Sequence, residues 1–197
     1  SQERVDEAVT AIAWAVYDPE NARALAELAV EDTGLGNVPD KIIKNQRKTF
    51  GTLRDLMRVR TVGVIEDLPE KGLVKYAKPI GVVAAVTPST NPAATPVNKT
   101  MMALKGRNAV VVAASPSGYA TTCRTVDLMR AGLDQIGLPV DLIQVLPQPV
   151  SKASTQALME AVDLVVVTGS QNNVRRAYSS GTPAIGVGAG NVPVIID

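Results

Sequence analysis

Four runs of apolar residues, IGVVAAV (80–86), AVVVAA (109–114), DLIQVL (141–146) and LVVVTG (164–169), show no regular alternation of polar with apolar positions. A strand with one face in water alternates, whereas a strand that is apolar throughout must be covered on both faces. Helical spacing fills the gaps between the runs, over Ala93–Lys105, Tyr119–Ile136 and Lys152–Val162, and a further helix is expected over Ser170–Ser180. Strands and helices in alternation, with connections long enough for crossovers, predict an α/β domain built on a parallel sheet with helices on both faces. Ligands of such sheets sit at the carboxyl ends of the strands.

The chain before residue 79 has a different character. Apolar residues recur at helical spacing from Val5 to Val16, from Pro19 to about Glu31 and from Pro39 to about Val59, with breaks at Asp18-Pro19 and Pro39-Asp40. The segment TVGVIEDLPEKGLVKYAKP then reads as a two-stranded hairpin, Thr61–Asp67 and Leu73–Lys78, around a Pro-Glu-Lys-Gly turn. Three parts follow: N-terminal helices over 1–60, a hairpin over 61–78 and the α/β domain over 79–197.

Chemistry has to come from the strand ends. The first apolar run passes directly into Thr87, Pro88, Ser89, Thr90 and Asn91, a turn without glycine that presents side chains. Ser115-Pro116-Ser117, Pro147-Gln148-Pro149 and Thr168-Gly169-Ser170 stand at the other strand ends and add hydroxyls and helix N-termini to the same rim. Ser170 reads either as an ordinary helix cap or as the start of an anion site. GVGAGN (186–191) reads either as a flexible loop before a strand at 193–197 or as backbone that approaches a ligand closely. No GxGxxG follows any strand.

Several functions are excluded. The chain has no histidine, so a Ser-His-Asp triad, a Cys-His pair and an HExxH zinc site cannot form within it. A single cysteine rules out an internal disulfide or a CxxC site, and no metal site is expected. Cys123 shares a helix face with Val126, Met129, Leu133 and Ile136, which predicts a packing thiol. A net charge of +1 without a basic block, together with 3% aromatic residues, argues against nucleic acid and anionic membranes as partners. No apolar run approaches the length of a membrane span, and a cytoplasmic location is expected.

PIGVVAAVTPSTNPAATPVNKTMMALKGRNAVVVAASPSG, followed by VVVTGS and AYSSGTPAIGVGAGNVPVIID, resembles the CoA-acylating branch of the aldehyde dehydrogenase superfamily. The resemblance spans nearly the whole chain and is strongest from Lys78 to Asp197. It implies a Rossmann-like domain for NAD or NADP, an oligomerisation hairpin at Thr61–Lys78 and a homo-oligomer. It further implies an aldehyde as substrate and coenzyme A as co-substrate, with a cysteine thiolate forming a thioester that CoA resolves. The turn implied to lie between nicotinamide and aldehyde offers Asn91 to stabilise the oxyanion, with Thr90 at the asparagine's place in an ungapped match. Cofactor contacts are implied for Thr87, Pro88, Ser89, Thr90, Lys99, Ser115, Pro116, Thr168, Gly169, Ser170, Gly186, Gly188 and Gly190.

Three departures from the superfamily pattern matter. Water-using members carry a glutamate base in a Glu-Leu-Gly-Gly stretch, where this chain has Val187-Gly188-Ala189-Gly190, which suits a thiol acceptor. Ala113 stands where those members have a lysine on the adenosine ribose, leaving NAD and NADP both open, with Ser115 the nearest polar residue. The family's nucleophilic cysteine is expected beyond residue 197, so these residues are expected to be an N-terminal portion that is inactive alone. A glutamyl-phosphate reductase and a non-catalytic nucleotide-binding or assembly module are the alternatives. The N-terminal helices could equally direct the protein to a bacterial microcompartment, as in some relatives. Arg107, Arg175 and Arg176 are expected to be solvated charges at helix ends.

Overall fold

The computed structural model describes residues 1–188, 190 and 194–195. It opens with α1 (Gln2–Tyr17), α2 (Pro19–Thr33) and α3 (Val38–Leu56). Asp18 ends the first helix and caps the second, its carboxylate accepting from the N–H groups of Glu20 and Asn21 at 3.1 Å. Pro19 then occupies a first-turn position, where its missing N–H costs nothing. Asn37 caps α3 in the same way through Asp40 N at 2.9 Å. The apolar stripe Val9, Ile12, Ala13 and Val16 of α1 is buried. The buried positions of α3 are polar: Lys41, Asn45 and Thr49.

The hairpin forms as β1 (Gly63–Leu68) and β2 (Leu73–Ala77), joined by a short 3₁₀ turn and Gly72 at φ 61°. A bulge between Val64 and Glu66 shifts its register, and Ile65, Leu73, Val74 and Tyr76 are exposed. Arg107, expected to be a solvated charge, is instead half-buried and ties the hairpin's end down, donating from Nη2 to the Ala77 carbonyl at 2.6 Å.

The expected alternation follows: β3 (Val82–Val86), α4 (Ala94–Lys105), β4 (Ala109–Ala113), α5 (Tyr119–Gln135), β5 (Ile143–Val145), α6 (Lys152–Ala161), β6 (Leu164–Thr168), α7 (Gln171–Tyr178) and β7 (Ala184–Val187). All five of these strands pair in parallel, in the order β5-β4-β3-β6-β7. Alternate residues of β3 serve two cores, as strand geometry requires. Val83 and Ala85 join Ile12, Val97, Met101, Met129 and Leu133 of α1, α4 and α5. Ala84 and Val86 join Met159 of α6 and Ala177 of α7 on the opposite face. Each fully buried Ile, Leu, Val or Met contributes roughly 1.5–3 kcal/mol.

Two expectations need correction. The run at 141–146 yields a strand of only three residues, because Val140–Leu142 forms a 3₁₀ turn and β5 is an edge strand. The glycine stretch is not all loop, since Ala184–Val187 pairs with β6 and so takes in Gly186. The strand expected at 193–197 lies outside the described residues.

Side chains close the amino end of the sheet. Asn108 Oδ1 accepts from Ile80 N at 2.6 Å and Gly81 N at 3.0 Å, and Asp163 Oδ2 accepts from Val82 N at 2.7 Å. Gly81 sits at φ +128°, and a Cβ there would stand 2.1 Å from Asp163 Oδ2. At the end of α4, Lys105 is 1% exposed and pairs with Asp6 of α1. Among the described residues no helix is long and apolar enough to cross a membrane, and no three of the Cys, Asp and Glu side chains gather into a metal-binding group.

Candidate functional site

From β3 the chain steps outward through β4 to β5, then returns to the other side of β3 for β6 and β7. The reversal makes a crevice at the carboxyl ends of β3 and β6, the place where open α/β sheets bind ligands. A cleft of about 760 Å³ occupies it. It is lined by Thr87, Pro88, Ser89, Thr90 and Asn91 after β3, by Ser115 and Pro116 after β4, by Thr168, Gly169 and Ser170 after β6, and by Gly188 after β7. Of the expected rim, Gln148 and Pro149 instead border a separate hollow with Pro116 and Val150.

The polar turn is held from outside. Thr87 donates from its backbone N–H at 3.0 Å and its hydroxyl at 3.3 Å to the Ala113 carbonyl of β4. Thr122 Oγ1 donates to the Pro92 carbonyl at 3.0 Å, and Gly118 leaves the room Pro92 needs, since a Cβ would stand 2.9 Å from the proline ring. Lys41, reaching across from α3, donates to the Thr90 carbonyl at 3.4 Å. With φ fixed at Pro88 and Pro92, the backbone is braced and the side chains of the turn are left for a ligand. The hydrogen bond that the Asn91 amide makes is a local one, to Thr90 Oγ1 at 3.2 Å.

Two helices start at the cleft. Ser151 opens α6 with a capping box, accepting from Ser154 N at 2.9 Å while Ser154 Oγ accepts from Ser151 N at 3.0 Å. Ser170 opens α7, accepting from Asn173 N at 3.3 Å. Among the described residues, the charged ones of the lining are Lys152 and Arg176, with no Asp or Glu. Arg176 is no solvated helix-end charge: it bridges α7 to α6, donating to the Lys152 carbonyl and to Gln156 Oε1 at 3.2 Å. Arg175 beside it is exposed, as expected. The start of α5 is already taken, because Asp32 of α2 accepts from both Thr121 N and Thr121 Oγ1 at 3.0 Å. Positive dipole ends and cations therefore converge on the cleft from α6 and α7, an arrangement that favours a diphosphate.

The model of the aldehyde dehydrogenase family matches residues 18–195. The chain belongs to that family. It is 59% identical, over all of its length and 40% of the relative's, to a sulfoacetaldehyde dehydrogenase (acylating) from Cupriavidus necator. Its fold matches the crystal structure of an acetylating aldehyde dehydrogenase from Geobacillus thermoglucosidasius with a TM-score of 0.93 and 39% identity, covering 98% of this chain and 42% of that one. A propionaldehyde dehydrogenase from Rhodopseudomonas palustris, solved with bound CoA and an acylated cysteine, matches with a TM-score of 0.82 and 28% identity over 97% of this chain and 43% of that one. The chain spans about two fifths of the length of these relatives.

Within this aldehyde dehydrogenase chain, three of the expected cofactor contacts lie away from the described cleft lining. Lys99 is buried on α4 and donates from Nζ to the Val166 carbonyl at 2.9 Å. Burial away from water brings its pKa down to about 8. Gly186 serves packing, since a Cβ there would stand 2.8 Å from Val174 Cγ1, and its N–H donates to Tyr178 Oη at 3.1 Å. No described residue comes within 4 Å of where a Cβ on Gly190 would stand. Cys123 is partly buried and outside the lining, and its thiol pKa is raised, chiefly by burial. Sequence reading missed the contribution of α6 and α7: Val150, Ser151, Lys152, Thr155, Asn173 and Arg176. Ser151 and Ser154 stand at capping-box spacing, the one signal that could have found that helix start.

Proposed function

We propose that this chain is the dinucleotide-binding part of a CoA-acylating aldehyde dehydrogenase, which oxidises a small aldehyde to its acyl-CoA with NAD(P)⁺ through a cysteine thioester. The observation that carries the reading is the lack of a carboxylate in the described lining of the cleft, where Gly188 follows Val187 in place of the glutamate of water-using members. Without that base, water is a poor acceptor of the thioester, and a thiol is the better nucleophile near neutral pH. The relatives named acylating and acetylating support the same reading.

The residues fit a dinucleotide. Helix starts at Ser151 and Ser170, with Lys152 and Arg176, would hold its diphosphate, and Thr168, Gly169 and Gly188 let it lie close to the backbone. Ser115 and Pro116 would border the adenosine ribose, and the described lining offers no acid there to repel a 2′-phosphate, so both NAD and NADP are compatible. When bound, the nicotinamide supplies the hydride acceptor. The turn Thr87–Asn91 would border that ring, with the Asn91 amide donating to the developing oxyanion. Cys123, off the cleft and with little thiolate, is unsuited to attack the aldehyde. The nucleophile is assigned to a part of the protein outside these residues.

The test is NAD(P)H formation by the full-length protein from sulfoacetaldehyde, with and without CoA. Turnover that requires CoA is expected. An equal rate without CoA would overturn the acylating reading.

A further inference from the structure

We infer that Lys41 recognises the charged end of the aldehyde and selects small aldehydes bearing a sulfonate or carboxylate over neutral ones. The inference rests on the acylating aldehyde dehydrogenase reading above.

Lys41 lies in the first turns of α3 and is 9% exposed. Its stem runs over Gly36, whose φ is +75°, with Cε 3.5 Å from where a Cβ would stand. An ammonium has three N–H donors, and Lys41 makes one long hydrogen bond, the 3.4 Å contact to the Thr90 carbonyl. Among the described residues no carboxylate forms an ion pair with it. The neighbouring Asp40 accepts from Asn37 Nδ2 at 2.8 Å, and burial and the Lys44 charge both lower the pKa of Lys41. The other two buried lysines are better served. Lys105 has Asp6, and Lys99 has its shorter bond to Val166. A partly covered cation held within the protein by one weak neutral acceptor has donors left for a ligand, and an anion beside it would take them.

Its place says which anion. The helix α3 packs on α1, α2 and α4, the layer across the sheet from α6 and α7, and Lys41 does not line the cleft. Yet it touches Thr90, which does. A dinucleotide filling the cleft and an aldehyde in contact with its ring cannot share one volume, so the aldehyde must approach from the side of the turn that the dinucleotide leaves free. Asn91, offered to the carbonyl oxygen, is the neighbour of the residue that Lys41 holds. A short aldehyde anchored at Asn91 thereby directs its terminal group towards the ammonium. Lys44, Arg47 and Lys48, exposed further along α3, add positive potential on that approach.

The experiment compares kcat/KM for sulfoacetaldehyde and for propionaldehyde in the full-length enzyme and its Lys41→Met and Lys41→Arg variants, at saturating NAD(P)⁺ and CoA. Lys41→Met is expected to lower the ratio of the two about 10- to 100-fold, mainly through KM for sulfoacetaldehyde, and Lys41→Arg to restore most of it. Ethanesulfonate, which has the anion but no carbonyl, should compete with the aldehyde in the native enzyme and lose that competition in Lys41→Met. Lys41→Gln gives the same readout if the methionine variant does not fold. An unchanged ratio, or equal losses for both aldehydes as expected of a mere brace for the turn, would overturn the assignment. Acyl-CoA formation with an unmoved ratio removes only the role of Lys41, whereas absence of acyl-CoA formation from either aldehyde removes the acylating reading itself.

Discussion

At the amino end of the parallel sheet, Asn108 and Asp163 accept the backbone N–H groups of Ile80, Gly81 and Val82, and a glycine is wedged where no side chain would fit. At the carboxyl end the same strands run into hydroxyls, helix starts and two cations around a cleft whose described lining holds no acid. One end satisfies its backbone N–H groups with side chains, and the other opens into a cleft. A buried polar group must find a partner somewhere, so the end whose helix starts face open space is the end proposed to bind. Strand direction decides which, because in a parallel sheet every following helix starts at the carboxyl end.

The difference can be broken by substitution. Gly81→Ala should have the largest effect, about 3–5 kcal/mol of lost stability, because it combines positive-φ strain with a clash against Asp163. Urea denaturation of the intact protein measures it, and the fraction that remains folded should keep its KM for the dinucleotide. A stability change below about 1 kcal/mol would show that the closed end gives way easily.

Lys99, bonded to β6 midway between the ends, sets the next largest effect. Its pKa of about 8 when folded lies below the ordinary value near 10.5, so between those pH values the unfolded chain binds more protons. Stability from this group therefore rises with pH across that window, and its cost is fully present below pH 8. Relative to Lys99→Met, the native protein should gain about 3 kcal/mol between pH 7 and 11, read from denaturation curves across pH. Parallel curves would mean that the ammonium is not desolvated.

The smallest effect belongs to the open end. Ser170→Ala removes the cap of α7 and should cost about 1 kcal/mol of stability. It should also raise KM for NAD(P)⁺ severalfold, which Gly81→Ala should not do. Loss of stability with an unchanged KM would make Ser170 only a cap.

The layered fold was legible because β3, β4 and β6 are apolar throughout, and a chain can bury such runs in few ways. What the sequence hid were partners far apart along the chain. Lys105 looks like an ordinary charge at a helix end until Asp6 closes on it from 99 residues away. Arg176 faces the cleft only because α6 lies beside α7, and Lys41 meets Thr90 only because α3 packs on α4. Gly186 misled in the other direction: glycines at alternate positions suggested a loop, whereas pairing with β6 makes a strand and the tight approach of Val174 demands the glycine. The turn Thr87–Asn91 stood out as a candidate because its polarity has no use in chain reversal, and it lies on the cleft.

The pairing of Asp6 with Lys105 bears on the order in which the molecule takes shape during synthesis. The apolar stripe of α1 lies against α4 and α5, so α1 has no complete resting place as it leaves the ribosome until residues far downstream emerge. At 5–20 residues per second, the 99 residues between the two charges take roughly 5 to 20 s to appear. During that interval α1 carries an unburied apolar face next to its exposed Trp14, which makes this helix a natural client for chaperones.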